Sequence, residues 1–319
     1  MKPSGKLIIL TYHRVGNEGD FVSRGMGGTG VWVEDFARQI KFLDEHCQVC
    51  TLRDALEISA GGETLRRPLA VVTFDDGYRD NHTRAWPILS QHKVPATIFL
   101  VAGIIGSGKL MWQHRMYYLK EAMGVAWMLK HVLVEQGDEK HAFSSAMRWL
   151  KAQGDTKARD ALIDFLWEQA GLDRDLEQRL SNDMYLGWKE ISEMDKGGIE
   201  FGSHSLTHPC LSALDGKMLR KEVGESKRLL EEKLSREIQT FAYPYGDAKA
   251  LNPAVVQEVR QAGYRGACTA QWGINALPMA QPPHTLKRKG MNYSHPLRMW
   301  LEISGVKDRL RQWAGVAPK

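Results

Sequence analysis

Residues 69–77, LAVVTFDDG, join a buried strand to a pair of carboxylates. Positions 69–74 are almost entirely apolar, as expected for a strand covered on both faces in a parallel sheet. Asp75 and Asp76 follow at its carboxyl end, the edge at which α/β folds place their functional sites. Neighbouring side chains diverge there, so the two carboxylates are free to take different partners. An Asp-Gly pair is also common in a plain turn, and this stretch alone leaves both interpretations open.

The chain outward from this stretch repeats a short strand followed by a helix. Five further strands are predicted by apolar, β-rich runs at residues 7–11, 96–102, 199–203, 240–243 and 266–270. Helical periodicity predicts helices at residues 33–46, 52–58, 80–92, 217–232 and 253–262. Strands that alternate with helices are typical of a parallel sheet, so the sequence predicts an α/β fold.

This alternation stops between Gly103 and Gly198. Residues 104–190 are helix-forming, contain five tryptophans and show no convincing strand. We predict that they form a helical insertion within a single domain spanning residues 1–319. Their aromatic side chains have two interpretations, as the core of the insertion itself or as a lid or wall beside a site.

Composition excludes several classes of protein. The 43 basic and 38 acidic side chains leave a net charge of +5, too small to indicate nucleic-acid binding, although it permits peripheral contact with an anionic membrane surface. No run of about 18–20 apolar residues predicts a transmembrane helix. The first apolar run, residues 7–10, is too short for a signal peptide, so we expect a cytoplasmic protein, in contact at most with the inner face of the membrane.

Two histidines form a second element at a strand end, in the run HSLTH at residues 204–208. A spacing of four predicts that His204 and His208 meet on one side of a helical turn, which suits two nitrogen ligands on one ion. One carboxylate would complete three protein ligands and leave positions open for water and substrate. Such pairs are also common as ordinary surface or core residues. If an ion binds, this ligand set suits Zn²⁺, Co²⁺, Ni²⁺ or Fe²⁺, and Zn²⁺ is our first choice.

The third element, TFAYPYGD at residues 240–247, is a strand that breaks into a Pro/Gly turn. A backbone N–H presented by such a turn can face a developing oxyanion, and the rings of Tyr243 and Tyr245 can line a sugar subsite. The alternative interpretation is a strand end plugged by aromatic side chains.

Together, the runs TFDDG (73–77), HSLTH (204–208) and FAYPYG (241–246) resemble the motifs of polysaccharide deacetylases, the carbohydrate esterase family 4 or NodB-homology enzymes. The resemblance covers most of residues 7–288 apart from the insertion. It implies a deformed (β/α)7–8 barrel, one divalent ion and hydrolysis of N-acetyl groups on sugars. It also implies roles for single residues: Asp75 as general base, Asp76, His204 and His208 as metal ligands, and the Tyr245 backbone N–H as oxyanion donor.

The chain departs from the family pattern at two places. Ala242 stands where many members carry an arginine that orients the base, and Arg288 is our candidate to replace it. A variant branch, the exopolysaccharide deacetylases with circularly permuted motifs, resembles this chain there and supplies its catalytic-acid histidine near the N-terminus. By that resemblance His13 is our candidate acid, with the late His284 and His295 as alternatives.

We therefore expect a metal-dependent N-deacetylase of an N-acetylated amino sugar in a surface-glycan or glycolipid precursor. A cytoplasmic location favours a lipid-linked or nucleotide-linked sugar, because a finished exported polymer would be out of reach. The alternatives are a deformylase of a lipid-linked amino sugar and a catalytically silent glycan-binding protein of the same fold. We predict a carbohydrate or lipid-linked sugar as partner, with no nucleic acid and no protein partner.

Overall fold

The computed structural model describes residues 5–17, 30–61, 65–131, 139–279, 283–290 and 295–304. Its strands are β1 (Gly5–Tyr12), β2 (Arg14–Gly16), β3 (Gly30–Trp32), β4 (Gln48–Val49), β5 (Leu69–Phe74), β6 (Thr97–Leu100), β7 (Glu200–Ser203), β8 (Thr240–Ala242), β9 (Gly266–Trp272), β10 (Asn275–Leu277) and β11 (Leu286–Gly290). Its helices are α1 (Val33–His46), α2 (Leu52–Gly61), α3 (Trp86–Gln91), α4 (Trp112–His131), α5 (Glu139–Lys151), α6 (Thr156–Gln169), α7 (Arg174–Met184), α8 (Trp188–Lys196), α9 (Gly216–Leu234), α10 (Pro253–Gln261) and α11 (Pro296–Ser304).

Among these residues, seven parallel strands close into a barrel in the order β1-β11-β9-β8-β7-β6-β5. Pairing of β5 with β1 closes the ring, from Leu7 opposite Leu69 to Tyr12 opposite Phe74. Two short strands lie outside the ring, β4 beside β5 and the antiparallel β10 beside β1. The predicted α/β fold, a (β/α)7 barrel, is confirmed.

Alternation along the strands divides the core into two clusters. Inside the barrel lie residues such as Ile9, Val71 and Phe99, whereas their neighbours Ile8 and Val72 belong to the cluster packed under the helices. Because successive side chains point to opposite faces, both faces of each strand are buried. This explains why the run at residues 69–74 is apolar throughout.

Local sequence signals start several helices. Asp215 accepts a hydrogen bond from the backbone N–H of Met218 at the start of α9, and Asn252 caps α10 in the same way ahead of Pro253. The predicted helix at residues 80–92 begins instead with a π-helical turn, Asn81–Ala85, which leads into α3. The side chain of Asp80 makes no cap there, because it pairs with Arg14.

Five helices, α4 to α8, occupy the chain between β6 and β7. Part of this segment forms its own core, in which Ile163, Leu166 and Trp167 of α6 are buried. Trp149 on α5 is exposed instead. The N-terminal turn of α4 lies against the carboxyl end of the barrel, as the site geometry below shows.

The sequence prediction omitted β11, the seventh strand of the barrel. Its sequence, LKRKG, contains three cations and does not resemble a buried strand. Arg288 and Lys289 are nevertheless buried, because each pairs with a carboxylate from another part of the chain, Asp75 and Glu302 respectively. In the described ranges, no helix is both long enough and apolar enough to cross a membrane.

Candidate active site

The carboxyl ends of the barrel strands surround a cavity of about 280 Å³. Eight of the candidate site residues named from the sequence line it: His13, Asp75, Asp76, His204, His208, Tyr243, Tyr245 and Arg288. They come from five different strand ends, which the closure of the barrel brings to one edge. The structure thus gathers residues up to 275 positions apart in the sequence into one pocket.

Three of these residues form a compact cluster of ligand atoms. The Oδ1 atom of Asp76 lies 3.6 Å from Nε2 of His204 and 3.5 Å from Nε2 of His208. All three side chains are buried, and their ligand atoms lie within 4.8 Å of one another. Asp76 Oδ1 has no hydrogen-bond partner among the described residues. A buried, unpartnered carboxylate oxygen that faces two imidazole nitrogens fits a divalent cation.

The second ring nitrogen of His204 supports this interpretation. Nδ1 of His204 lies 2.7 Å from the backbone oxygen of Ala242, which can only accept a hydrogen bond. The proton of a neutral His204 is therefore on Nδ1, and the lone pair on Nε2 points at Asp76. Nδ1 of His208 contacts the side-chain amide of Gln113 at 2.6 Å.

Burial shifts both kinds of ligand away from their charged forms. Desolvation raises the pKa of Asp76, although His13 and His204 oppose the shift. Desolvation, helped by His204, holds the pKa of His208 well below its ordinary value. The imidazole is therefore neutral, as a metal ligand must be, and a cation would restore the charge of the carboxylate.

Asp75 pairs with a side chain of opposite charge, Arg288. Its two oxygens accept hydrogen bonds from Nη1 and Nη2 of Arg288 at 2.7 and 2.8 Å, and Nε of Arg288 donates to the backbone oxygen of Thr269 at 2.8 Å. Burial alone would raise the pKa of Asp75, but Arg288, with a smaller contribution from His204, outweighs it and lowers the pKa. The cation expected near the base is thus present, supplied by β11 instead of by position 242.

His13 lies between β1 and β2, beside the same carboxylate. Its Nε2 atom is 3.9 Å from Oδ2 of Asp75, and about a third of its side chain is exposed. His284 is bonded to the backbone oxygen of Tyr264 and lies outside the cavity, and His295 is exposed on another part of the surface. Of the three candidate acids, only His13 lines the cavity.

The third motif contributes two tyrosines in different ways. Tyr243 is 1 % exposed and its hydroxyl donates to the backbone oxygen of His284, so little of its surface is available to a ligand. The Tyr245 ring meets His208 edge-on, with 4.9 Å between centroids. Its hydroxyl lies 2.7 Å from Nε2 of Gln113, and its backbone N–H makes no hydrogen bond among the described residues. That N–H is therefore free to meet an oxyanion.

Backbone strain is concentrated in the three motifs. Asp76, Ser205, His208 and Tyr245 have φ angles of 73°, 66°, 59° and 63°, in the left-handed region that residues with a Cβ rarely adopt. Only two other non-glycine residues in the described ranges share this conformation. Strained residues of this kind persist where surrounding structure holds them, and they cluster at functional sites.

The helical turn predicted for residues 204–208 is wrong. This segment is an irregular loop, because Ser205 and His208 have left-handed conformations that no right-handed helix contains. The carboxylate of Glu222 holds the loop by accepting hydrogen bonds from the backbone N–H groups of Leu206 and Thr207 and from the Thr207 hydroxyl. The two histidine rings still meet, with centroids 4.9 Å apart.

Six residues that line the cavity were not predicted as site residues. Two of them, Thr11 and Ala270, lie on β1 and β9. The other four lie just before α4 or in its first two turns, in the tryptophan-rich segment between β6 and β7: Met111, Gln113, His114 and Tyr117. The start of α4 therefore forms a wall beside the cavity, one of the two possibilities for this segment. Aromatic residues such as Trp167 on α6 are buried core residues instead, which was the other possibility. Helical periodicity alone does not show which turn of a helix faces a site.

The family model described as "Polysaccharide deacetylase" matches residues 62–267, well over half of the chain. The chain belongs to the polysaccharide deacetylase family. A poly-beta-1,6-N-acetyl-D-glucosamine N-deacetylase of Staphylococcus epidermidis is 30 % identical over 109 residues, which cover 31 % of this chain and 37 % of that protein. YxkH of Bacillus subtilis, itself named for this family, is 22 % identical across 95 % of this chain and 75 % of its own length.

Solved structures of deacetylases share the fold of this family member. The Streptococcus pyogenes deacetylase PplD, in complex with acetate, superimposes with a TM-score of 0.64 and 17 % identity, over 93 % of this chain and 98 % of PplD. IcaB from Ammonifex degensii gives a TM-score of 0.61 and 19 % identity, over 94 % and 97 % of the two chains. These likenesses support the barrel described above.

Proposed function

We propose that this deacetylase removes the N-acetyl group of an amino sugar in a surface-glycan or glycolipid precursor. The observation that carries the proposal is one cavity that holds both the Asp76–His204–His208 cluster and the Asp75–Arg288 pair. Membership of the family supports a carbohydrate deacetylase, which is a hydrolase. The name of the staphylococcal relative supports an N-acetylated glucosamine as the sugar.

Asp76, His204 and His208 would hold a divalent ion, with Zn²⁺ as first choice and Co²⁺, Ni²⁺ or Fe²⁺ as alternatives. Such an ion acts as a Lewis acid on the amide carbonyl and lowers the pKa of water to about 7 in well-tuned zinc sites, so that a weak base suffices. The unpartnered Asp76 Oδ1 supports this assignment.

The remaining side chains divide the proton transfers. Asp75 takes a proton from the attacking water, and Arg288 keeps the carboxylate ionised and holds both of its oxygens in place. The backbone N–H of Tyr245 donates to the oxygen of the tetrahedral intermediate. His13, on the open side of Asp75, gives a proton from Nε2 to the leaving amine. The C–N bond breaks, and acetate and a free amino sugar are the products.

We further propose that the substrate is a lipid-linked or nucleotide-linked precursor. A cytoplasmic location is part of this proposal, and a finished exported polymer would be out of reach of a cytoplasmic enzyme. The net charge of +5 would favour an anionic carrier group and contact with an anionic lipid surface.

The test incubates the Zn²⁺-loaded protein with β-1,6-linked N-acetylglucosamine oligomers and with lipid-linked and nucleotide-linked N-acetylamino sugars. We expect release of acetate together with one free amine per acetate, loss of the activity with a chelator and recovery with Zn²⁺ or Co²⁺. Formate released from an N-formylamino sugar, without acetate from the N-acetyl form, would identify a deformylase. Glycan binding without either product would indicate the silent glycan-binding protein.

A further inference from the structure

Two consecutive residues at the start of α4, Gln113 and His114, are connected to the metal-ligand cluster by hydrogen bonds, Gln113 directly and His114 through Tyr78. Both line the cavity, and neither belongs to the three motifs. They have no part in the proton transfers proposed above. Their hydrogen bonds nevertheless lead to two different ligands.

Gln113 contacts His208. Its Nε2 atom lies 2.6 Å from Nδ1 of His208 and 2.7 Å from the hydroxyl of Tyr245, while Oε1 is buried without a partner among the described residues. His208 can bind an ion through Nε2, the atom that faces Asp76, only when its proton is on Nδ1. That N–H needs an acceptor, so the amide oxygen belongs beside it. Amide oxygen and nitrogen are assigned from such networks.

His114 leads to Asp76 through a chain of buried groups. Its Nδ1 contacts the hydroxyl of Tyr185, whose oxygen accepts from the backbone N–H of Met111 at 3.1 Å. Its Nε2 lies 3.0 Å from the hydroxyl of Tyr78, and Tyr78 is hydrogen-bonded to Asp76.

Burial, reinforced by Arg14, lowers the pKa of His114 to about 3, so the ring is neutral and has one donor and one acceptor. Because the oxygen of Tyr185 already accepts from a backbone N–H, its proton is available to Nδ1 of His114. The chain then has one direction: Tyr185 donates to His114, His114 donates from Nε2 to Tyr78, and Tyr78 donates to Asp76. Each hydroxyl and ring nitrogen in it is satisfied.

We propose that Gln113 and His114 are positioning residues of the metal site, an inference that rests on the proposed function of the Asp76–His204–His208 cluster. Gln113 keeps the lone pair of His208 on Nε2 by accepting the Nδ1 proton. His114 acts through Tyr78 to fix the orientation of the Asp76 carboxylate. The first turn of α4 thereby links the helical segment between β6 and β7 to the ligands, a role that outer hydrogen-bond partners commonly have in metal sites.

The first test uses two variants of Gln113. Gln113→Leu removes the acceptor, and we expect Zn²⁺ affinity to fall about 10- to 100-fold in chelator competition. Gln113→Glu offers only acceptor oxygens, so we expect it to keep affinity within about threefold. If the amide nitrogen faced His208, it would hold the ring proton on Nε2, so Gln113→Leu would not lower the affinity and Gln113→Glu would raise it, and the proposal would be overturned. Glu121→Gln, an exposed change on the same helix, is the control and should have no effect.

The second test is a double-mutant cycle for the longer chain. Tyr78→Phe removes the hydrogen bonds of Tyr78 to Asp76 and His114, and His114→Phe removes those of His114 to Tyr78 and Tyr185. We expect each substitution to weaken Zn²⁺ binding about tenfold. Because His114 acts through Tyr78, His114→Phe should add almost nothing in the Tyr78→Phe background. Additive losses would overturn the role of His114 and leave only a local packing effect.

A third measurement separates this proposal from the proposed function. In the metal-free protein, ¹⁵N NMR of the histidine rings should show the proton on Nδ1 of His208 and on Nε2 of His114. Gln113→Leu should change the first signal without changing the second. The opposite tautomers would overturn the positioning roles. The expected tautomers in a protein that binds no Zn²⁺ would refute metal dependence instead, and the two hydrogen-bond assignments would remain.

Discussion

Asp75 and Asp76 are neighbours in the sequence and almost equally buried, but they face different surroundings. Asp75 is held by both nitrogens of the Arg288 fork, which lowers its pKa. One oxygen of Asp76 faces the Nε2 atoms of His204 and His208 and has no hydrogen-bond partner among the described residues, and burial raises the pKa of Asp76. Asp75 is paired with an arginine, whereas no lysine or arginine forms an ion pair with Asp76 in the described part of the chain, so a bound cation would supply its countercharge.

This difference would allow two neighbouring residues to carry out the two proposed tasks, of general base and of metal ligand. A base must be ionised and oriented before the substrate arrives, and a buried arginine achieves both. A metal ligand must instead keep a lone pair free of protein donors. The left-handed backbone of Asp76, with φ at 73°, turns the two side chains apart, so that Arg288 reaches only one of them.

The largest effect is expected on the ligand side. His204→Ala removes one of three ligands, so we expect Zn²⁺ affinity to fall more than about 100-fold and activity to reach background. Metal content and chelator competition measure the Zn²⁺ affinity, and acetate release measures the activity. The exposed His46→Ala should change neither. Stoichiometric Zn²⁺ in the His204→Ala protein would contradict the assignment of the cluster.

The complementary change is Asp75→Asn. It leaves the three ligands intact, so we expect Zn²⁺ affinity to be nearly unchanged, whereas turnover should fall about 10²- to 10⁴-fold with the loss of a general base. The same two assays therefore give opposite patterns for the two halves of the site. A fully active Asp75→Asn protein would show that another group takes the proton.

A smaller effect is expected from Arg288→Lys. Lysine keeps the charge but does not bond both oxygens of Asp75 as the guanidinium fork does, so we expect kcat to fall about tenfold with little change in KM. Lysine would oppose the effect of burial on Asp75 less fully than arginine does, so the pKa of Asp75 would rise. The acidic limb of the kcat–pH profile would therefore move to higher pH. The exposed Arg265→Lys serves as control. A profile identical to that of the wild type would separate Arg288 from the base.

Much of this division could be read from the sequence. The apolar run at 69–74 predicted a strand covered on both faces, and its position before Asp75 and Asp76 placed the carboxylates at the edge where the histidines also lie. These features are local, because strand alternation and strand ends depend on neighbouring residues.

The features that could not be predicted depend on distant partners. Strand β11 is charged in sequence, and Arg288 becomes a core residue only because Asp75, 213 positions away, neutralises it. The loop that contains His204 and His208 is irregular because Glu222 on α9 ties down its backbone. Nothing in the local sequence distinguishes Gln113 from other helical residues, because its role depends on the contact with His208 that the fold creates.

In the metal-free protein, Asp75 and Asp76 should contribute to the free energy of unfolding with opposite signs. Asp75 has a lowered folded pKa, so it stabilises the fold above its ordinary value of 3.8, and this contribution is lost as the pH falls through the folded pKa. Asp76 has a raised folded pKa. Its ionisation therefore costs stability from about pH 3.8 upward, and the cost is complete once the pH exceeds the folded pKa. Below about pH 3.8 the second carboxyl is protonated in both states and the cost vanishes.

Substitution by asparagine should therefore change the free energy of unfolding in opposite directions at pH 7. Asp75→Asn leaves the buried Arg288 without its countercharge and should lose about 3 kcal/mol. Asp76→Asn removes an uncompensated buried charge and should gain about 1 kcal/mol, because a ligand is kept for binding at the expense of stability. Urea unfolding with a chelator, at pH 7 and at pH 3.5, measures both differences. The gain from Asp76→Asn should vanish at the lower pH, whereas the loss from Asp75→Asn should largely persist, because the folded pKa of Asp75 is well below its ordinary value. Losses of equal size in both variants would mean that Asp76 has a countercharge within the protein after all.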